Sequence, residues 1–148
     1  MQGSLVDTNI WLALSFLNHP CHDAAQRTLL AASPQNPWFL CRATQQSFLR
    51  LASTPVITRA YDVSRVTNDD AWNALEILMG LPQVGLVDEP PGVMERWVRL
   101  GSIHKAAPKL WMDAYLAAMA IQGGWTLLSL DRDFLQFESQ GLELSLLS

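Results

Sequence analysis

Three aspartates stand where predicted strands end or a predicted helix begins, and their carboxylates are suited to binding a divalent cation. Asp7 follows a short apolar run at 4–6, and Asp131 follows a longer one at 125–130. Asp113 opens the alanine-rich segment DAYLAAMA. An α/β sheet places its functional groups at the carboxyl ends of its strands, and hard cations such as Mg²⁺ prefer carboxylate oxygens. Together the three positions predict one metal site.

Each aspartate also has an ordinary structural interpretation. Asp7 and Asp131 are both positioned to cap a helix that starts directly after them, and aspartate is a favoured cap. Asp113 would be stabilised by the positive end of the dipole of its helix. The functional interpretation gains from Thr8 and Asn9, whose short polar side chains are able to orient the neighbouring carboxylate or a metal-bound water.

The elements that must position these residues alternate along the chain, which predicts an α/β fold with right-handed crossovers. Strands are predicted at 4–6, 38–41, 84–87, 125–130 and 142–147, the last at an edge. Helices are predicted at 9–16, 24–30, 45–52, 68–79, 94–100 and 113–122. Thr44 and Thr67 are the predicted N-caps of the third and fourth helices. Pro55 is expected to close the third helix, and glycines at 101 and 123–124 to end the last two.

The bulk composition favours one globular domain over residues 1–148. Hydrophobic residues make up 49% of the chain and charged residues 16%, which is typical of a compact protein. No apolar run approaches the ~20 residues that span a bilayer, and no secretory signal precedes Asp7, so we expect a cytoplasmic protein with free thiols at Cys21 and Cys41. The net charge of −4 argues against broad, non-specific coating of nucleic acid but not against a nucleic-acid enzyme.

Four sequence blocks together resemble one family. They are VDTN at 6–9, TQQSFLRL at 44–51, LWMDAYLAAMA at 110–120 and LLSLDRDF at 127–134. Their order and spacing resemble the PIN-domain family and, within it, the VapC-type toxins of bacterial toxin–antitoxin pairs. The resemblance covers nearly the whole chain. It implies a three-layer α/β/α fold with a five-stranded parallel sheet in the order 3-2-1-4-5, in which Asp7 and Asp131 meet.

The resemblance also implies a ribonuclease that depends on Mg²⁺ or Mn²⁺. The catalytic and metal-binding residues carried over are Asp7, Asp113 and Asp131; the supporting residues are Thr8, Asn9, Gln45, Ser129 and Asp133. The family usually supplies a further acid early in the helix after the second strand, where this chain has Gln45 with Gln46 beside it. An amide brings no charge, so we expect weaker metal binding and a two-metal site to be disfavoured.

Basic residues near the site are candidates for contact with RNA phosphates. The candidates are Arg50, Lys105 and Lys109, with Arg42 and Arg132 as further residues of the rim. Scattered surface charge is the competing interpretation for each except Arg50. The resemblance further implies a cognate VapB-like antitoxin and a homodimer, with the helical segments 9–16 and 72–79 serving either as interface or as core.

Two other functions remain open at this stage. The first is a PIN fold that has lost its nuclease activity because of Gln45 and acts as an RNA- or partner-binding module. The second is a magnesium-dependent phosphohydrolase acting on small phosphate esters. An aspartate nucleophile of that second kind usually needs another acid two residues later, where this chain has Asn9.

Overall fold

The computed structural model describes residues 2–148, and its centre is a five-stranded sheet in which every pairing is parallel. The strands are β1 (Ser4–Val6), β2 (Trp38–Leu40), β3 (Val84–Leu86), β4 (Thr126–Ser129) and β5 (Leu144–Leu146). Their spatial order is 3-2-1-4-5, which confirms the predicted fold class. Ser4 pairs with Thr126 and Val6 with Leu128, so the strands that precede Asp7 and Asp131 are direct neighbours.

Helices cover both faces of this sheet. They are α1 (Thr8–Ser15), α2 (His22–Ala31), α3 (Arg42–Ala52), α4 (Pro55–Ala60), α5 (Asn68–Met79), α6 (Val93–Gly101), α7 (Leu110–Gly123) and a 3-10 helix (Arg132–Gln140). Successive strand residues face opposite sides of a sheet, and the core divides accordingly. Leu5 and Leu127 pack with α6, α7 and the 3-10 helix, whereas Val6 and Leu128 pack with α1, α3 and α5. The result is the three-layer arrangement that the sequence predicts.

Two predictions about helix boundaries in the middle of the chain are wrong. Cys41 is the N-cap of α3, and Thr44 lies in its first turn, where its Oγ1 accepts a hydrogen bond of 2.9 Å from the Cys41 N–H. This is the role of the third residue in a capping box. Pro55 opens α4 rather than closing α3, because proline fits the first position of a helix, where no N–H is needed.

The other predicted helix ends agree better with the structure. Thr67 caps α5 through a reciprocal pair of hydrogen bonds with Asp70, at 2.9 and 3.1 Å. Gly124 ends α7 in the left-handed conformation, with φ of 68°, which glycine adopts without strain. Cys21 and Cys41 are both free. Within residues 2–148, each helix is too short or too polar to cross a membrane.

Candidate active site

Asp7 and Asp131 lie together at the carboxyl ends of β1 and β4, as the sequence predicts. The Asp7 N–H donates to the Leu128 carbonyl at 2.9 Å, which continues the pairing of the two strands up to the site. Asp7 caps α1, because its Oδ1 accepts a hydrogen bond of 2.7 Å from the Thr8 N–H. The capping and functional interpretations of this residue are therefore compatible, since Oδ1 makes the cap while Oδ2 is held by another group.

That other group is the hydroxyl of Ser129, which lies between the two aspartates and is fully buried. Ser129 Oγ donates to Asp7 Oδ2 at 2.7 Å and accepts from the Asp131 N–H at 3.0 Å. Asn9 completes the link, since its Nδ2 donates to Ser129 Oγ and its Oδ1 accepts from the Leu130 N–H, both at 3.3 Å. These hydrogen bonds fix the relative positions of the loops after β1 and β4.

A tighter acidic group forms around Asp131. Carboxylate oxygens of Asp113, Asp131 and Asp133 all lie within 4.8 Å of one another. Asp131 caps the 3-10 helix through Oδ1, which accepts a 2.9 Å hydrogen bond from the Asp133 N–H. This cap turns the chain so that both carboxylates point to the same place. Asp133 is thus as close to Asp131 and Asp113 as a metal ligand would need to be, whereas the family resemblance implied only a supporting role for it.

Asp113 reaches this group from the first turn of α7. The sequence predicted that Asp113 opens this helix. In the structure α7 begins three residues earlier, at Leu110. The Asp113 N–H still donates to the Lys109 carbonyl at 3.4 Å. A carboxylate in a first turn lies near the positive end of the helix dipole, and the side chain projects into a crevice that Asp7 and Asp131 also line.

The crowding of carboxylates changes their acidity. Burial raises the pKa of Asp113 to about 6, the negative charges of its aspartate neighbours add to the rise, and the Lys109 ammonium opposes it. Burial also raises the pKa of Asp7, against the lowering effect of the hydrogen bonds from Ser129 and Thr8. A site that penalises its own negative charge in this way favours the binding of a cation.

Lys109 supplies one positive charge inside the group. Its Nζ lies 3.4 Å from Asp131 Oδ2 and 3.4 Å from Asp133 Oδ2. Asp131 is the largest cause of the raised pKa of Lys109, followed by Asp113. The lysine side chain is 69% exposed, so it is free to leave this pairing without exposing buried surface.

Gln45 does not face the crevice. Its side chain is buried under α3, where Oε1 accepts from Arg42 Nη1 at 3.0 Å and Nε2 contacts Met79 Sδ at 3.1 Å. Gln46, Ser47 and Arg50 line the crevice instead. Helical spacing could have predicted this orientation of Gln45. Residue 45 shares a helix face with the buried residues Phe48 and Ala52, whereas residues 46, 47 and 50 share the face that lines the crevice.

The other predicted RNA contacts divide between crevice and surface. Lys109, Arg50 and Arg42 line the crevice, whereas Lys105 and Arg132 are exposed residues outside its lining. Sequence reasoning missed Glu89, Trp97, Trp111 and Met112, which also line it. The crevice holds about 670 Å³, a volume within the range of small-molecule sites and sufficient for part of a nucleotide chain.

The parallel sheet and the acidic crevice at the ends of β1 and β4 define a PIN-type domain. The chain belongs to the PIN-domain family, whose model matches residues 4–139. Within that family it is 40% identical to Ribonuclease VapC41 of Mycobacterium tuberculosis over 145 residues, which are 97% of this chain and 98% of the relative.

Solved structures share the fold at lower sequence identity. VapBC2 from Rickettsia felis, bound to a DNA fragment from its promoter, superposes with a TM-score of 0.66 at 14% identity, over 100% of both chains. The sarcin-ricin loop cleaving toxin VapC20 of Mycobacterium tuberculosis gives 0.63 at 17% identity, over 94% of this chain and 95% of that one. These similarities support the fold assignment.

Proposed function

We propose that this protein is an endoribonuclease of the VapC type, which hydrolyses RNA phosphodiester bonds with the help of Mg²⁺ or Mn²⁺. The observation that carries the proposal is the convergence of the carboxylates of Asp113, Asp131 and Asp133 within 4.8 Å, in a crevice that Asp7 shares. The identity to a relative named as a ribonuclease, over nearly the full length of both chains, supports the choice of RNA as substrate.

The donor set fits a hard divalent cation. The ligand atoms that converge are carboxylate oxygens, and oxygen ligands of this kind suit Mg²⁺ and Mn²⁺ better than softer metals. Asp113 and Asp131 would hold the ion where they converge with Asp133, and Asp7, which is not in that group but lines the same crevice, would complete the ligand set. A bound ion would lower the pKa of a water and offset negative charge on the scissile phosphate.

The remaining residues of the crevice have separable tasks. Ser129 and Asn9 keep Asp7 and Asp131 in register through the hydrogen bonds described above. Lys109 and Arg50 line the crevice as cations and would contact phosphates of the bound RNA. A chain with a net charge of −4 needs such local positive charge to approach RNA.

The alternative of an impaired binding module loses its original argument. That alternative rested on Gln45 as the replacement of a site acid, and Gln45 is a core-facing residue bonded to Arg42 and Met79. The crevice side of α3 carries Gln46 and Ser47, so this helix contributes no carboxylate to the crevice. We therefore still expect weak binding of one ion, now because the crevice side of α3 carries Gln46 and Ser47 in place of a carboxylate.

Cleavage of a structured RNA pool by purified protein tests the proposal. The assay compares Mn²⁺ with EDTA, and the parent protein with Asp131→Asn and with the exposed control Asp23→Asn. Asparagine keeps the shape and the helix cap of Asp131 but removes its charge. We expect cuts that require Mn²⁺, that persist in the control, and that fall in Asp131→Asn by more than the roughly 10- to 100-fold typical of a lost supporting group. Equal activity of the two variants would refute the role of the site.

We further infer a single domain over 1–148, a cytoplasmic location, a homodimer and a VapB-like antitoxin as partner. Two findings support the antitoxin. The similar protein of Mycobacterium tuberculosis is named as a VapC ribonuclease, and two structural neighbours are VapBC structures. Light scattering of the purified chain, alone and after co-expression with a VapB-type antitoxin, tests the two assemblies. A monomer in the first case or no complex in the second would contradict them.

A further inference from the structure

An aromatic wall faces the carboxylates across the crevice. Trp97, Trp111 and Met112 line the same crevice as Asp113. Trp111 is 41% exposed and Met112 is 59% exposed. Single exposed apolar side chains are ordinary, but a contiguous group of them at a crevice is typical of a binding site. The proposed metal site gives no use to these residues.

The indole of Trp111 is held in place by its surroundings. A Cβ at Gly101 would lie 2.6 Å from Trp111 Cε3, so the ring packs directly over this glycine at the end of α6. Trp97 meets the ring edge-on, with centroids 5.6 Å apart and planes at 74°. Trp97 Nε1 also donates to the Trp111 carbonyl at 2.8 Å. The exposed ring is therefore ordered before any ligand arrives, which lowers the entropic cost of binding to it.

We propose that Trp111 stacks on an unpaired base of the RNA, next to the phosphate that is cut. This inference rests on the proposed ribonuclease function and specifies the form of its substrate. Trp111 and Asp113 both belong to the first turn of α7 and line one crevice of about 670 Å³. Their side chains leave the helix about 200° apart, so the shared crevice, and not a common helix face, is what would bring a base on the indole near a phosphate at the carboxylates.

The charges around the wall favour RNA over a protein segment once a divalent cation is bound. Three basic side chains, Arg42, Arg50 and Lys109, line the crevice with Trp111, against the carboxylates of Asp7, Glu89, Asp113 and Asp131. A bound divalent cation would change the formal charge of this lining from −1 to +1, and basic side chains beside an aromatic ring are a usual means of binding single-stranded nucleic acid. Bases in a duplex are stacked on their neighbours, so a tryptophan platform selects loops, bulges and ends. The stacking role of Trp111 therefore requires an unpaired base at the cut.

Equilibrium binding of a fluorescein-labelled, single-stranded RNA of mixed sequence tests the inference. All proteins carry Asp131→Asn to prevent cleavage during the measurement. We expect Trp111→Ala to weaken binding by roughly 5- to 150-fold, the range for loss of one stacked base, and Trp111→Phe to retain most of the affinity. Trp72→Ala is the matched control, since Trp72 is 45% exposed on α5, outside the crevice. It should bind as the parent does.

A second measurement keeps the test decisive if Trp111→Ala fails to fold. Abasic nucleotides are placed one position at a time in the same RNA. One position should weaken binding to the parent by a similar factor, and less so to Trp111→Phe. Equal affinity of Trp111→Ala and parent, or no effect of any abasic position, would overturn the inference. So would a Trp111→Ala variant that binds RNA normally but loses affinity for its antitoxin, because the wall would then belong to a protein interface.

The two proposals fail in different ways. Metal-dependent cleavage by the parent together with an inert Trp111→Ala substitution removes the stacking role and leaves the nuclease intact. Absence of any RNA binding removes the stacking role as well, and the cleavage assay then decides separately whether the nuclease survives. Binding without cleavage, with a clear effect of Trp111→Ala, retains the stacking role in a protein that binds RNA without cutting it.

Discussion

Replacing Asp113 by asparagine is expected to stabilise the metal-free protein at neutral pH. Burial and the neighbouring aspartates raise the pKa of Asp113 from 3.8 to about 6. The unfolded chain releases this proton near pH 4, whereas the folded chain holds it until about pH 6. The folded state therefore loses stability as the pH rises from about 4 through 6, and this loss is complete above pH 7.

The size of the effect follows from the shift. Each pKa unit corresponds to about 1.4 kcal/mol, so the difference between 3.8 and about 6 amounts to ~3 kcal/mol for an unscreened group. Asp113 is only half-buried, and solvent screening lowers the figure to roughly 1 to 2 kcal/mol. An uncharged asparagine of the same shape avoids this cost.

Urea unfolding in EDTA at pH 4.5 and at pH 7.5 measures the effect. We expect the variant to exceed the parent in free energy of unfolding by roughly 1 to 2 kcal/mol at pH 7.5 and by much less at pH 4.5. The exposed control Asp23→Asn should differ from the parent by no more than about 0.5 kcal/mol at both values. A parent more stable than Asp113→Asn at pH 7.5, or a difference independent of pH, would refute the reasoning.

Four other substitutions test separate parts of the site. Ser129→Ala removes the buried hydroxyl between two site aspartates and should cost about 1 to 3 kcal/mol in urea unfolding; an unchanged midpoint would contradict its linking role. Lys109→Met removes the ion pairs of an exposed lysine with Asp131 and Asp133, so stability should change by less than about 1 kcal/mol. Titration of Mn²⁺ followed by electron paramagnetic resonance should show that Lys109→Met binds the ion more tightly than the parent does. Weaker binding by the variant would show that Lys109 does not compete with the ion. Gln46→Glu should bind Mn²⁺ roughly tenfold more tightly, a gain of ~1.4 kcal/mol, while Gln45→Glu should not; the reverse order would contradict the orientation of α3.

The positions of Asp7 and Asp131 were predictable because they depend on the sheet alone. Short apolar runs before each aspartate indicate buried strands, and the carboxyl ends of adjacent parallel strands meet at one edge. The resemblance to a family then supplied the strand order that makes β1 and β4 neighbours. The structure adds the fully buried hydroxyl of Ser129, whose hydrogen-bond partners are Asp7 after β1, Asn9 in α1 and Asp131 after β4.

The contribution of α3 was harder to predict because it depends on how a helix is rotated about its axis. The sequence placed Gln45 on the face of Phe48 and Ala52, and that face proves to be the buried one. The same spacing implies that residue 45 points to the core and residue 46 to the crevice. The resemblance of the TQQSFLRL block to a family does not by itself distinguish these two orientations. A shift of one residue in a helix turns the side chain by about 100°.

Contacts between segments that are distant in the chain could not be predicted from the sequence. Nothing in the spacing of Gly101 and Trp111 indicates that a ring packs over the glycine, since they belong to different helices with a loop between them. The approach of Asp133 to Asp113 likewise depends on the 3-10 turn that follows Asp131. Local pattern predicts elements, and packing between elements decides which side chains share a site.

Mass spectrometry of RNA cleaved in ¹⁸O-labelled water with Mn²⁺ tests the central claim most directly. If the aspartate crevice directs water at the phosphate, each product pair should carry one ¹⁸O in its terminal phosphate and no 2′,3′-cyclic phosphate, and EDTA should abolish the products. Cyclic phosphate ends without the label, or cleavage that continues in EDTA, would contradict the account, because the 2′-hydroxyl of the RNA would then be the nucleophile.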